Sequence, residues 1–545
     1  MNLNNNKYFL LFLILLLPSV LFAIPDWIKD KTSLPKCPKS GVKVLSDDYP
    51  AMAHVFSDWG NGEENDILKS LTLSIINGSN KKRMPLLILH SVEKKRYDQA
   101  IISLRKELLS NHKKSKVENI LKKVIWGGDE NVQSFSQDYF FSTFDKNVYP
   151  EINILRDFID DSGKDIQEDP AFNTGWTKYK ESLKKTFSKS DLSVKLYPEK
   201  NIANYSTFHA LRDEKSGHLS GNNGGNIEAL PGGFCLSGDN QDWKNFTSGY
   251  CGKKENHIKF RTKWLYVGHV DEIVSLIPDN NQPKSCNFAL QYASPKKALE
   301  LLRQHPNDNF FNFKKESTFL QSNHENGYVN YFCEAYLKQK GLAKNTEKLY
   351  RLKPNNNLHN YFLRKKSKRK IASLEHLKMD NNSLKNYSIC KKIKNSDFLD
   401  FYKKSAVLKA NNLSIETIIK NDTKKAVEKI KKRTGCDVKA AAVPQLFYQN
   451  GFSNEKKIEI NFKDYEDLKI DQRMDSIFPN PANSVLLSEK NILYPEPHNE
   501  SFKNYLIKLG KIRGFNANFY ETWDNFHTGS GNIHCVVNTI RVCKP

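Results

Sequence analysis

Apart from one short run near its start, the 545-residue chain lacks any long hydrophobic stretch. That run, Phe9 to Ala23 behind Lys7, is shorter than the roughly 20 apolar residues that a membrane-crossing helix needs. A basic start, a short apolar centre and the small residue Ala23 describe an export signal over residues 1–23. The expected product is a secreted or periplasmic protein with no membrane span after signal removal. Acidic residues are also in short supply, 61 against 84 lysines and arginines, for a formal charge of +23. The densest basic run, residues 364–370, suits contact with an anionic surface. Aromatic residues do not interleave with the basic ones as a single-strand binder requires, so specific nucleic acid binding is not expected. CxxC pairs and Cys/His ladders are absent, which argues against the common structural zinc sites.

What is present is enough apolar material for a real core: 39% hydrophobic residues, with Phe, Trp and Tyr at 11%. Residues 84–90 have a strand-like centre, and residues 97–124 read as one long helix with Ile101, Leu104, Leu108 and Leu109 facing inward. From about 125 to 290, short apolar runs alternate with Gly, Asn and Asp. Leu265 to Val270 reads as a strand, followed by a further apolar run over residues 273–277. Ser294-Pro295 opens a helix, since serine caps and proline suits the first turn. Its inward residues are expected to be Ala298, Leu301 and Leu302. Residues 303–430 are dominated by Lys, Asn and His and read as a solvated helical insertion. Apolar runs return over 431–545.

Three places carry candidate chemistry. In Gly268-His269-Val270-Asp271-Glu272, a strand would send His269 and Asp271 to one face. Cys535 follows His534 between apolar segments, and in a strand His534 would face away from it, so a base must come from distant sequence. Asp138 lies among the aromatics of residues 135–141, where a carboxylate needs a cationic partner. Nine cysteines in an oxidising compartment allow four disulfides and one remaining thiol, and pairing of Cys535 with Cys543 is one option.

These segments together resemble the catalytic domain of protein-arginine deiminases, in order from about residue 125 to the C-terminus. The likeness is strongest at residues 264–272 and recurs at 225–228, 443–447, 478–480, 494–497, 523–527 and 531–538. The resemblance implies an α/β fold, a pseudo-fivefold αββαβ propeller or pentein, with the lysine-rich insertion added. It implies a catalytic set of Asp138, His269, Asp271 and Cys535. It places Phe135, Arg212 and Asn226 at the substrate, Asn226 lying 14 residues after Arg212. The implied reaction is hydrolysis of peptidyl-arginine to citrulline and ammonia. Alternatives are a deiminase or amidinotransferase acting on free arginine or a small guanidine, and an inactive secreted binding protein. Calcium serves vertebrate members, but Tyr139 and Phe141 stand where carboxylates would be expected. Gln137 and Glu228 are the candidate remnants of that site, and no cofactor is expected. The resulting organisation is a signal at 1–23, an N-terminal extension at 24–124 that could join the catalytic scaffold, and catalytic parts at 125–302 and 431–545 flanking the insertion at 303–430.

Overall fold

The computed structural model describes residues 34–38, 43–57, 65–80, 83–90, 92, 94–127, 140–144, 150–155, 184–185, 194–197, 224–239, 251–283, 286–312, 392–449, 473–522, 527 and 532–544. Their sheets repeat one pattern. A strand pairs antiparallel with a second, which pairs parallel with a third. In chain order the strands are β4 (Phe140–Thr143), β5 (Glu151–Leu155) and β6 (Val194–Tyr197); β7 (Ile227–Leu230), β8 (Phe234–Gly238) and β9 (His257–Phe260). They continue with β10 (Val274–Pro278), β11 (Phe288–Ser294) and β12 (Lys439–Pro444). The pattern recurs in β15 (Val485–Ser488), β16 (Asn491–Pro495) and β17 (Asn516–Tyr520). A two-stranded sheet, β13 (Phe447–Gln449) with β14 (Met474–Ser476), stands outside the repeat.

The fifth repeat is built from both ends of the chain. β18 (Val537–Arg541) lies antiparallel to β1 (Ala51–Ser57), which pairs parallel with β2 (Leu86–His90), and β2 with β3 (Val124–Trp126). Five repeats of this build are the pentein architecture, and residues 51–126 supply one of them. Parallel neighbours need a crossover. Between β1 and β2 it is α1 (Asn65–Gly78). Between β2 and β3 it is α2 (Lys94–Asn111) with α3 (Lys114–Leu121), two helices where the sequence pattern reads as one. The break falls at His112-Lys113, and the inward face is Ala100, Leu104 and Leu108, while Leu109 is exposed.

The crossover from β11 to β12 begins with α4 (Pro295–Gln304). Its Ser294 hydroxyl accepts the Lys297 N–H at 3.1 Å, and Ala298, Leu301 and Leu302 are buried, as expected. It ends with α5 (Asn395–Lys404) and α6 (Ala406–Thr434). Here the expected insertion needs correction. Ile415, Ile418, Ile419, Ala426 and Ile430 form one buried face of α6 in the main core, so these residues are scaffold and not a solvated addition. The lysines that dominate the composition cover the other face, which masks the apolar spacing. The segment 313–391, with the basic run 364–370, lies outside the described residues. Asp422 ties α6 to the chain after β9: its Oδ1 accepts from Arg261 Nη2 at 2.8 Å and its Oδ2 from Nε at 2.9 Å. Gly435 ends the helix at φ 75°, a left-handed conformation that suits glycine. A further crossover of this kind, α7 (Glu500–Arg513), joins β16 to β17.

Among the described residues three disulfides pin the scaffold: Cys37–Cys543, Cys235–Cys251 and Cys286–Cys436. Cys333 and Cys390 lie outside the described residues. No helix among the described residues is long and apolar enough to cross a membrane.

Where β1 meets β18, His54 is fully buried and its Nδ1 lies 3.0 Å from Thr539 Oγ1. Burial, aided by Arg541, pushes this imidazole down to about 3 from 6.5. The unfolded chain therefore takes up a proton first, and stability is lost as pH falls from about 6.5 towards 3. Glutamine at this position keeps a polar group but does not titrate. We expect the stability of the wild type relative to His54→Gln to fall by about 1.4 kcal/mol per pH unit across that range. Denaturant midpoints at several pH values check this, and parallel curves for the two proteins would refute it.

Candidate active site

Two segments from distant sequence meet at the candidate site. The first is Gly268 to Glu272. It is not a strand: Val270–Glu272 is a 3-10 turn, and Gly268 has φ 80°. Positive φ at Gly268 lets the chain leave the 264–266 segment, held by paired hydrogen bonds to Met474, and enter the turn. The alternation argument for His269 and Asp271 therefore does not apply. Both are nonetheless buried, at 1% exposure each. Asn226 and Glu272 hold this turn. Asn226 Oδ1 accepts the Val270 and Gly238 N–H groups at 3.0 and 2.9 Å, and Glu272 Oε1 accepts the His269 N–H at 3.1 Å. The amide oxygen of Asn226, expected at the substrate, thus serves the scaffold under Asp271.

The second segment is α8, the helical turn Ile533–Val536 that leads into β18. It carries Cys535, which is buried and outside every disulfide. The alternative pairing with Cys543 is excluded, because Cys543 is bridged to Cys37. Cys535 Sγ lies 3.8 Å from Asp271 Oδ2, which brings together two members of the expected catalytic set. Asn483 supports the thiol: its Nδ2 is 3.3 Å from Sγ, and its Oδ1 accepts the His534 N–H at 3.0 Å. Asp138, Phe135, Arg212 and Gln137 lie outside the described residues.

His534 overturns the strand-based expectation for this segment. On a helical turn it does not point away from its neighbour's surroundings. Its Nδ1 is 3.0 Å from Asp271 Oδ2, and its Nε2 is 3.6 Å from Glu228 Oε1. Burial acts to lower its pKa, but the charges of Glu228 and Asp271 and the hydrogen bond to Asp271 outweigh that, raising it to about 9. For Glu228, burial pushes the carboxyl up to about 8 against the pull of His534. His534 and Asn483 are the residues that pattern reading missed. The signal was local: Asn532 and the short Ile-His-Cys-Val run suit a capped turn as well as a strand.

Glu228, Asp271 and His534 each bring one ligand atom to within 4.8 Å of the others, a spacing that a metal ion spans. Calcium, however, prefers an all-oxygen set. Glu228 faces an imidazole rather than further carboxylates, so the trio does not fit a calcium cage. A protonated imidazole between the two carboxyl groups supplies the compensating charge itself.

The other oxygen of Asp271, Oδ1, is buried and has no hydrogen-bond partner among the described residues. A buried carboxylate oxygen left without a donor costs on the order of 1–3 kcal/mol or more. Such an acceptor next to a thiol suits a ligand that brings planar, charged N–H donors, as a guanidinium does.

The sequence matches the family model for protein-arginine deiminase over residues 250–544, more than half of the chain. The chain belongs to the protein-arginine deiminase family. This match includes His269, Asp271 and Cys535. No curated protein matches the sequence. Solved structures similar to this deiminase-family chain include a C. jejuni agmatine deiminase, at 10% identity over 92% of this chain and 96% of that one, with TM-score 0.39. Another, provisionally described as a peptidyl-arginine deiminase, is 11% identical over 92% and 99% of the two chains, with TM-score 0.41. An agmatine deiminase of Enterococcus faecalis is 8% identical over 93% and 98%, with TM-score 0.40. Family membership rests on the sequence match, and the architecture on the repeated sheet pattern.

Proposed function

We propose that this deiminase-family chain hydrolyses a substrate guanidinium to a ureido group and ammonia, with Cys535 as nucleophile. The observation that carries the proposal is the contact of Cys535 with Asp271, whose buried Oδ1 is left for a cationic donor. Asp271, with Asp138 as the second acceptor that the family resemblance implies, accepts guanidinium N–H bonds and aligns the central carbon with Sγ. The Cys535 thiolate adds to that carbon. His269 gives a proton to the departing nitrogen, the C–N bond breaks and ammonia leaves, so that an S-alkylthiouronium remains on Cys535. His269 then takes a proton from water, hydroxide adds to the same carbon, and the thiolate is expelled as the ureido product forms.

Arginine within a peptide is the substrate that the family description names, and Arg212 and Phe135 are its proposed contacts. The solved structures include agmatine deiminases, so a small free guanidine is the second reading. Three disulfides and the apolar N-terminal run support export to an oxidising compartment. The proposed reaction uses no cofactor.

The test is mass spectrometry of an arginine peptide, free arginine and agmatine after incubation with the protein, alongside a Cys535→Ala control and with or without calcium. Exchange of an imino nitrogen for oxygen, with equimolar ammonia, is expected for at least one of them. Conversion confined to agmatine or free arginine would select the small-guanidine reading. No conversion of any would count against hydrolysis.

A further inference from the structure

The residue directly before the nucleophile is tied at both ring nitrogens to acidic groups. His534 Nδ1 holds the Asp271 oxygen that borders Cys535, and Nε2 faces Glu228 from β7, which comes from an earlier repeat. Its backbone N–H is held by Asn483, the same side chain that contacts the thiol. The imidazole is therefore held by one hydrogen bond to Asp271 and by its electrostatic contact with Glu228, on a backbone that Asn483 anchors, at 8% exposure. Nothing in the hydrolysis sequence requires it to exchange a proton.

We propose that His534 is a positioning residue, anchored by Glu228, that occupies Asp271 Oδ2 so that Oδ1 is the oxygen presented to the substrate cation. The inference rests on the guanidine-deiminase reading and adds two residues to its machinery.

The physical reasoning has two parts. A carboxylate whose two oxygens are both open can rotate about its last torsion and bind a guanidinium in several orientations. One strong hydrogen bond from a fixed imidazole removes that freedom and leaves one acceptor aimed at the ligand. Charge is the second part. The Asp271 carboxylate beside the thiol opposes formation of a thiolate. An imidazolium on Asp271 Oδ2 offsets that field and leaves Oδ1, the acceptor that faces the substrate, in place. A metal ion in the same place would compete with the substrate cation for Asp271.

The test uses two isosteric alkylating agents. 2-Chloroacetamidine presents a planar cationic amidinium, and 2-chloroacetamide a neutral amide. Each forms a carbon–sulfur bond to the Cys535 thiolate and releases chloride. The ratio of their rates reports cation recognition, since any change in the thiolate fraction affects both alike. The wild type is expected to favour the amidinium at least about tenfold. His534→Asn places an amide near the Nδ1 position and should keep most of that preference. His534→Gln reaches the Nε2 position instead, abandons Asp271, and should lose the preference while keeping the amide rate. Glu228→Gln should lose it in part. Melting temperatures within a few degrees of wild type would show that the variants are folded.

Equal ratios in the wild type, His534→Gln and Glu228→Gln would overturn the proposal. So would a wild-type ratio that collapses on chelation and returns with added calcium, because the trio would then be a cation site. A wild type with no preference at all would instead reject the guanidine-deiminase reading beneath it.

Discussion

Replacing Cys535 by alanine is expected to lower guanidinium hydrolysis by on the order of 10^4-fold or more while leaving the fold intact. The loss is large because no described neighbour can take over the role. Asp271 is held by His534, and Asn483 offers an amide with no nucleophilic electron pair. Truncating a small buried side chain removes few contacts, so a destabilisation of about 1 kcal/mol is expected. Steady-state ammonia release and a melting curve on the same preparation check both halves. Residual turnover within about tenfold of wild type would mean that the sulfur attacks nothing in the reaction. The outcome also separates an enzyme from a basic binding protein on the same fold, because only the former loses its function with the thiol.

Removing the Cys37–Cys543 bridge, by Cys37→Ser with Cys543→Ser, is expected to cost about 3–5 kcal/mol and several degrees of melting temperature. The bridge joins residues 506 apart, so it constrains nearly the whole unfolded chain. In the folded state it stands beside hydrogen bonds between Cys37 and Lys544 and between Lys544 and Pro35. Arg541 adds an ion pair to Asp47 at 2.6 Å and a bond to the Tyr49 carbonyl at 2.8 Å. Those contacts should allow the double variant to fold, but with β18 more easily released from β1. Because Cys535 lies just before β18, activity should fade at lower denaturant than the global transition. Coincident loss of activity and structure, at the wild-type midpoint, would show that the bridge contributes nothing to closure.

Much of this could be read from local pattern. The Ser294-Pro295 helix start and the apolar run over 273–277, which lies in β10, follow from short-range chemistry, and the structure has them. The pairing of β1 with β18 could not, because strand partners some 485 residues apart leave no periodic trace. Alternation misled at residues 265–271 and at His534. Both runs look strand-like in composition, but one positive-φ glycine and one helical turn change which side chains share a face. Lysine content hid α6, whose buried isoleucines sit beneath a basic exterior. Cys535 and Asp271 were identifiable as chemistry, through family resemblance, before anything local showed that they meet.

β18, the strand that completes the fifth repeat, is made long after its partner β1, and the turn that leads into it brings the proposed nucleophile with it. A chain truncated before Cys535 lacks both the final edge of the sheet and the sulfur that reacts. Partial products, whether stalled in synthesis or clipped near the end, are therefore silent by construction. The proposed guanidinium chemistry can begin only after β1 and β18, nearly 500 residues apart in sequence, have found each other.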